Sequence, residues 1–204
     1  LPKQTFFNLT SEKQNQIIDV AINEFSQFTF NEVKISDIIH KAKIPRSSFY
    51  DYFEDKKDLY RYIIIIIRKE KMKYMEPVLM RRQESFFQGL RDLFKAGAEF
   101  AASKPQYEKL ASRMFENMEL INEIFGVEAL DTSSLYESML MKGIEAGEVR
   151  SDIDIKFIAK SIHILSSNLI LERFEDNKET LDLGEFIERI TDNIVSLIRI
   201  GIAR

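Results

Sequence analysis

Cysteine is absent from the 204 residues. That excludes a disulfide framework and any thiolate metal site, and it leans toward a cytoplasmic protein. Histidine is almost absent: His40 and His163 are the only two. One imidazole with no second candidate a helical turn away cannot supply a zinc ligand set. With no Gly-rich phosphate loop either, no catalytic constellation can be assembled, so neither an enzyme nor a metal or cofactor is expected. No apolar run reaches the roughly 18–20 residues of a membrane span. The run from Tyr62 to Ile67 ends at Arg68 and Lys69, and the first residues show no signal-peptide pattern. Excess positive charge is missing too, because the formal net charge of −4 argues against a wholesale nucleic-acid coat.

The charge is nevertheless uneven. Residues 1–75 hold 13 Lys and Arg against 10 Asp and Glu, whereas residues 76–204 hold 16 against 23. A basic front and an acidic back hint that the front meets a polyanion. Glycine and proline are scarce, at 7 and 4, and the apolar spacing is mostly i, i+3, i+4, which reads as all-α. A first helix opens at LTSEKQNQII, with Thr10 or Ser11 as cap and Gln14 placed as in a capping box. A short second helix, KISDIIHKA, follows a loop. A helix from 55 to about 75 carries the isoleucine run and is expected to stop before Pro77. The run has the β-branched composition of a strand, but RKEKMKYM continues it directly with helix formers. Five more helices are expected near 83–103, 105–125, 131–146, 155–175 and 183–202.

Residues 43–60 read KIPRSSFYDYFEDKKDLY, more hydroxyls and rings than a core needs. Pro45 suits the first turn of a helix, where its missing N–H costs nothing, so a helix should run from there to Tyr52 or Phe53. Asp55 then caps the next one. Three short helices, the last two split by a tight turn, are the layout of a helix-turn-helix. The second helix of such a pair enters the DNA major groove and is pinned to phosphates on both sides. Arg46, Ser47, Ser48, Tyr50 and Tyr52 supply polar and positive side chains for this, while Phe49 and Phe53 anchor the other face. Lys56 adds a cation beside free backbone N–H groups that attract phosphate. Lys34, at the head of the preceding helix, completes the expected DNA-contact set. The bland alternative is a helical hairpin with an aromatic core and a solvated face.

The stretch VKISDIIHKAKIPRSSFYDYFEDKKDLY, residues 33–60, resembles the TetR family of transcriptional regulators. The resemblance rests on Ile38, Ala42, Ile44, Phe49, Tyr50, Tyr52, Phe53, Lys56 and Leu59. It implies phosphate contact by Tyr50, Tyr52 and Lys56 and base contact near Arg46 to Ser48. KGIEAGEVRSDID, residues 142–154, is a weaker echo, similar to a loop before the family's last two helices. There are departures. Lys43 stands at a turn position that is usually glycine, where a positive φ would cost about 1 kcal/mol. Pro45 occupies a usual Ser/Thr cap, and only Lys3 remains of the basic arm some members carry.

The expected architecture is therefore all-α: a helix-turn-helix DNA-binding domain over 1–54, a connecting helix over 55–75, and a ligand-binding and dimerisation bundle over 76–204. Aromatic and methionine side chains in the rear region are ordinary core packing at helical spacing. The resemblance adds an effector cavity, with Phe94, Phe115, Met118, Tyr136 and Met139 as lining candidates. Two apolar stripes on the last helices, Ile158, Ile162, Leu165 and Leu169, then Ile187, Ile190, Ile194, Leu197 and Ile198, suggest a four-helix homodimer interface. The expected function is a cytoplasmic, homodimeric regulator, a repressor, that binds a palindromic double-stranded DNA operator. A small apolar or amphipathic effector would release it. The runner-up is a DNA-binding protein of the same fold that answers to a protein partner or acts architecturally.

Overall fold

The computed structural model describes residues 1–81, 85–126, 132–175 and 183–203. Its helices are α1 (Gln4–Phe7), α2 (Ser11–Gln27), α3 (Ile35–Lys41), α4 (Arg46–Tyr52), α5 (Lys56–Met80), α6 (Phe86–Ser103), α7 (Pro105–Glu116), α8 (Met118–Phe125), α9 (Ser133–Glu145), α10 (Ile155–Glu175) and α11 (Leu183–Ile202). The one β feature among the described residues is an isolated antiparallel bridge between Val149 and Ala203. No helix among them is long and apolar enough to cross a membrane.

The chain divides into two compact units. The first comprises Leu1–Glu70 with Lys104–Val127, the second Lys71–Ser103 with Glu128–Arg204. This differs from the division expected from sequence, because α7 and α8 group with the amino-terminal helices. The cause is visible at α2. Its last carbonyls lack partners within the helix, and Arg113 of α7 supplies them: Nε donates to Ser26 O and Nη2 to Gln27 O, both at 3.0 Å.

One expected cap bond and two further boundaries depart from expectation. Thr10 is the cap of α2, its hydroxyl accepting from Lys13 N at 3.3 Å, while Gln14 Nε2 donates to Leu9 O at 2.9 Å instead of closing a capping box. Helix α5 continues through Pro77 to Met80. Proline there removes one hydrogen bond in the last turn, and the three residues beyond it still complete the helix. The segment 105–125 is two helices, because Asn117 ends α7 and caps α8 through its side chain, which accepts from Leu120 N at 3.1 Å. The short α1 has no counterpart in the sequence reading.

The isoleucine run is helical, and its periodicity explains why. Ile63, Ile64 and Ile67 are buried with Leu59 and Tyr60 on one face of α5. In the second unit, Phe86, Phe87, Leu90 and Leu93 of α6 pack with Tyr136 and Leu140 of α9, Ile162 of α10 and Ile194 and Ile198 of α11. The carboxylate of Glu148 closes the start of α6, accepting from Ser85 Oγ at 2.7 Å and Phe86 N at 3.1 Å. Gly143 lets α9 approach closely: a Cβ there would lie 2.8 Å from Val149 Cγ2 and 2.9 Å from Phe86 Cβ. Gly143→Ala is expected to destabilise the second unit by about 1–3 kcal/mol, read as a lower urea midpoint.

Part of the expected dimer stripe lies in the second unit's own core. Ile162, Ile194 and Ile198 are at most 8% exposed and belong to their own unit's core. Ile158 is half-buried against that core, and Leu165 is half-buried. Leu169, Ile187 and Ile190 lie outside the described side chains. A helix apolar on two faces does not announce which face meets its own chain. Among the described residues of the last two helices, the outward large apolar ones are Leu197 (61% exposed) and Ile200 on α11, with Phe157 and Ile164 on α10.

Candidate nucleic-acid interface

The first unit builds its helix-turn-helix from α3, a four-residue turn and α4. Helix α3 ends in a Schellman motif. Ile44 N donates to Ile39 O at 3.1 Å and Lys43 N to His40 O at 3.2 Å, the two backward bonds of that motif. Lys43 sits at the position that requires a left-handed backbone, with φ 50. The same motif closes α9, where Glu148 N reaches Gly143 O and Gly147 N reaches Ile144 O, both at 3.0 Å. There the left-handed position holds Gly147, φ 75, as steric logic favours. Lys43→Gly should therefore raise first-unit stability by about 1 kcal/mol, seen as a higher denaturation midpoint. The turn is also tied from outside: Lys13 Nζ donates to Ala42 O at 3.0 Å. Glu24, buried on α2, pairs with Lys41 at the end of α3 at 2.6 Å.

Helix α4 presents two faces. Phe49 is its one buried residue, and Phe53 just beyond its end is also fully buried, their rings 5.6 Å apart. On the other side Arg46 and Ser47 are exposed, Tyr50 is 42% exposed and Ser48 is half-buried. Arg46 and Tyr50 share a concavity of about 370 Å³ with Lys34, Ser36, Ile39 and Lys56. Four of the seven expected DNA contacts, Lys34, Arg46, Tyr50 and Lys56, thus line one groove. Ser47, Ser48 and Tyr52 are not among its lining residues. Tyr52 is half-buried, its ring edge-on to Phe6 at 6.2 Å.

Lys56 has a second occupation that the sequence did not announce. Its Nζ donates to Phe30 O at 2.7 Å and Val33 O at 2.8 Å, and stands 4.5 Å over the Phe30 ring. Burial pulls its ammonium pKa below the ordinary lysine value. The cation belongs to the groove wall and also ties the start of α5 to the loop before α3. Lys34, by contrast, is exposed.

The expected effector residues are divided between the units. Tyr136 is buried in the second unit, where Phe94 and Met139 pack half-buried on the same core. Burial pushes the Tyr136 phenol above its ordinary pKa, and hydrogen bonds with Ser166 and Thr132 temper the shift. His163 sits beside them, Nδ1 2.9 Å from Thr132 Oγ1. Met118 belongs to the first unit and is 37% exposed. The Phe115 side chain lies outside the described set.

A short helix held behind a tight turn, with Arg46 and hydroxyls on it and Lys34 and Lys56 beside it, is the layout of a helix-turn-helix. Residues 17–63 match the model described as bacterial regulatory proteins, tetR family. Among its relatives is the HTH-type transcriptional regulator YdgC of Bacillus subtilis, 29% identical over 126 residues. That alignment covers 53% of this chain and 65% of the relative, just under two thirds of the relative's length. A TetR family regulator from Chloroflexus aurantiacus shares the fold with TM-score 0.76 and 24% identity, over 100% of this chain and 99% of that one. The transcriptional regulator FadR from Bacillus subtilis, solved in complex with stearoyl-CoA, shares it with TM-score 0.71 and 17% identity, over 89% and 97%.

Proposed function

We propose that the protein is a cytoplasmic transcriptional repressor that binds a palindromic operator as a homodimer and is released by an amphipathic effector of the long-chain acyl-CoA class. The observation that carries the DNA half is the groove that joins Lys34, Arg46, Tyr50 and Lys56 beside α4. Phosphate contacts hold a helix in register, while arginine at its start can read a guanine edge. The outward apolar residues Phe157, Ile164, Leu197 and Ile200 support pairing across a two-fold axis. Two half-sites about 34–36 Å apart, or multiples of it, match such a dimer.

The effector half draws on the stearoyl-CoA complex of the Bacillus subtilis regulator and on the second unit's chemistry. An acyl chain suits Phe94 and Met139, and a thioester carbonyl suits the Tyr136 hydroxyl. The ligand can release DNA only by its differential affinity for two states of the protein. The test is fluorescence anisotropy of a duplex that the protein selects from a random pool, titrated with stearoyl-CoA, free CoA or stearate. Release by stearoyl-CoA alone is the expected result. If none of the three releases the duplex or raises the melting temperature, the acyl-CoA assignment falls and the DNA half stands.

A further inference from the structure

We propose that Lys3, Thr5 and Phe6 form a brace from the amino-terminal segment that positions the DNA-reading helix α4 by capping its carboxyl end. The last four C=O groups of an α-helix have no partner inside it. In α4 these belong to Phe49, Tyr50, Asp51 and Tyr52. The chain leaves the helix extended, with Phe53 at φ −130 and ψ 147, so no left-handed turn folds back to satisfy them. Phe53 N reaches only Phe49 O, at 2.9 Å.

The amino-terminal segment supplies the other three donors. Lys3 Nζ donates to Tyr50 O at 2.8 Å, Thr5 Oγ1 donates to Asp51 O, and Lys3 N donates to Tyr52 O at 2.8 Å. Every orphan carbonyl of α4 is then met. The ammonium also stands at the negative end of the helix dipole, where a cation is favoured. Phe6 fixes the segment in place: it is fully buried, with its ring 5.1 Å from Phe53 and 5.7 Å from Tyr62.

The brace bears on DNA reading because α4 has seven residues. A helix that short is unstable alone and takes its direction from what holds its ends. Its start is set by the turn at Lys43, its middle by Phe49, and its end by Lys3 and Thr5. Tyr50, whose carbonyl takes the Lys3 ammonium, also lines the groove. This assignment makes Lys3 a positioning residue and not a DNA contact.

The inference rests on α4 being the helix that reads DNA, and the experiment separates the two. Full-length wild type, Thr5→Val, Thr5→Ser, Lys3→Met and the Lys3→Met/Thr5→Val pair are measured on the duplex selected by wild type and on a scrambled duplex, across a salt series. Amide exchange is followed at residues 46–53. The double variant should lose about tenfold in affinity for the selected duplex, and less for the scrambled one. Its salt slope should stay at the wild-type value, Thr5→Ser should restore binding, and protection should fall in α4 while α2 keeps its own. A slope flattened by about 0.9 in Lys3→Met would overturn the proposal in favour of a direct phosphate contact. Unchanged affinity for both duplexes would also overturn it, as would protection lost evenly across the first unit. If wild type binds no duplex, the reading of α4 itself fails and the brace goes with it.

Discussion

Phe49→Ala should cost the first unit about 3–5 kcal/mol and abolish selected-duplex binding at the concentrations where wild type saturates. The size follows from the position. Phe49 is the one buried residue of α4, fully enclosed and set against Phe53. Truncation removes the transfer free energy of the ring and leaves a cavity that the short helix cannot collapse without moving. Phe49→Leu keeps most of the volume and should cost about 1–1.5 kcal/mol. Urea unfolding followed by exchange at residues 46–53 checks both. Equal, small effects from the two substitutions would show that α4 is held by something other than this ring.

Lys56→Ala carries the second large effect, about 2–3 kcal/mol. Its Nζ satisfies the carbonyls of Phe30 and Val33 and rides over the Phe30 ring. Removing the side chain strips its charge-assisted hydrogen bonds and the packing of its stem. Lys56→Met keeps the stem and loses the donors, so the difference between the variants isolates the stem. With its Nζ bonds directed at protein carbonyls, Lys56→Met should weaken duplex binding while the salt slope holds. A slope flatter by about 0.9 would instead mark a direct phosphate contact.

Much of this was legible in the chain because the signals were local. Scarce glycine and proline with i, i+3, i+4 spacing give helices, and Pro45 followed by Phe49 and Phe53 gives a short helix with one anchored face. Even the strained Lys43 was visible, since the α3–α4 turn needs a left-handed residue and the sequence offers no glycine there. What escaped depends on contacts distant in sequence. The four-residue α1 exists because Lys3 and Thr5 find the end of α4 and Phe6 finds Phe53, and nothing in TFFN announces those partners. The grouping of α7 with α2 turns on Arg113 reaching Ser26 and Gln27. On the last helices, apolar residues mark both faces alike. Only packing separates Ile194 and Ile198, which fill their own core, from Leu197 and Ile200, which face outward.

The most direct measurement is the salt dependence of duplex binding by wild type, Lys34→Ala and Arg46→Ala, on the selected and scrambled sequences. A DNA-reading groove requires a steep wild-type slope, flattened by about 0.9 in Lys34→Ala on both duplexes. Arg46→Ala should narrow the preference for the selected sequence, at about 1–3 kcal/mol of discrimination per base contact. Binding that is weak, indifferent to salt and unchanged by either substitution, at low salt and on every duplex, would contradict the account.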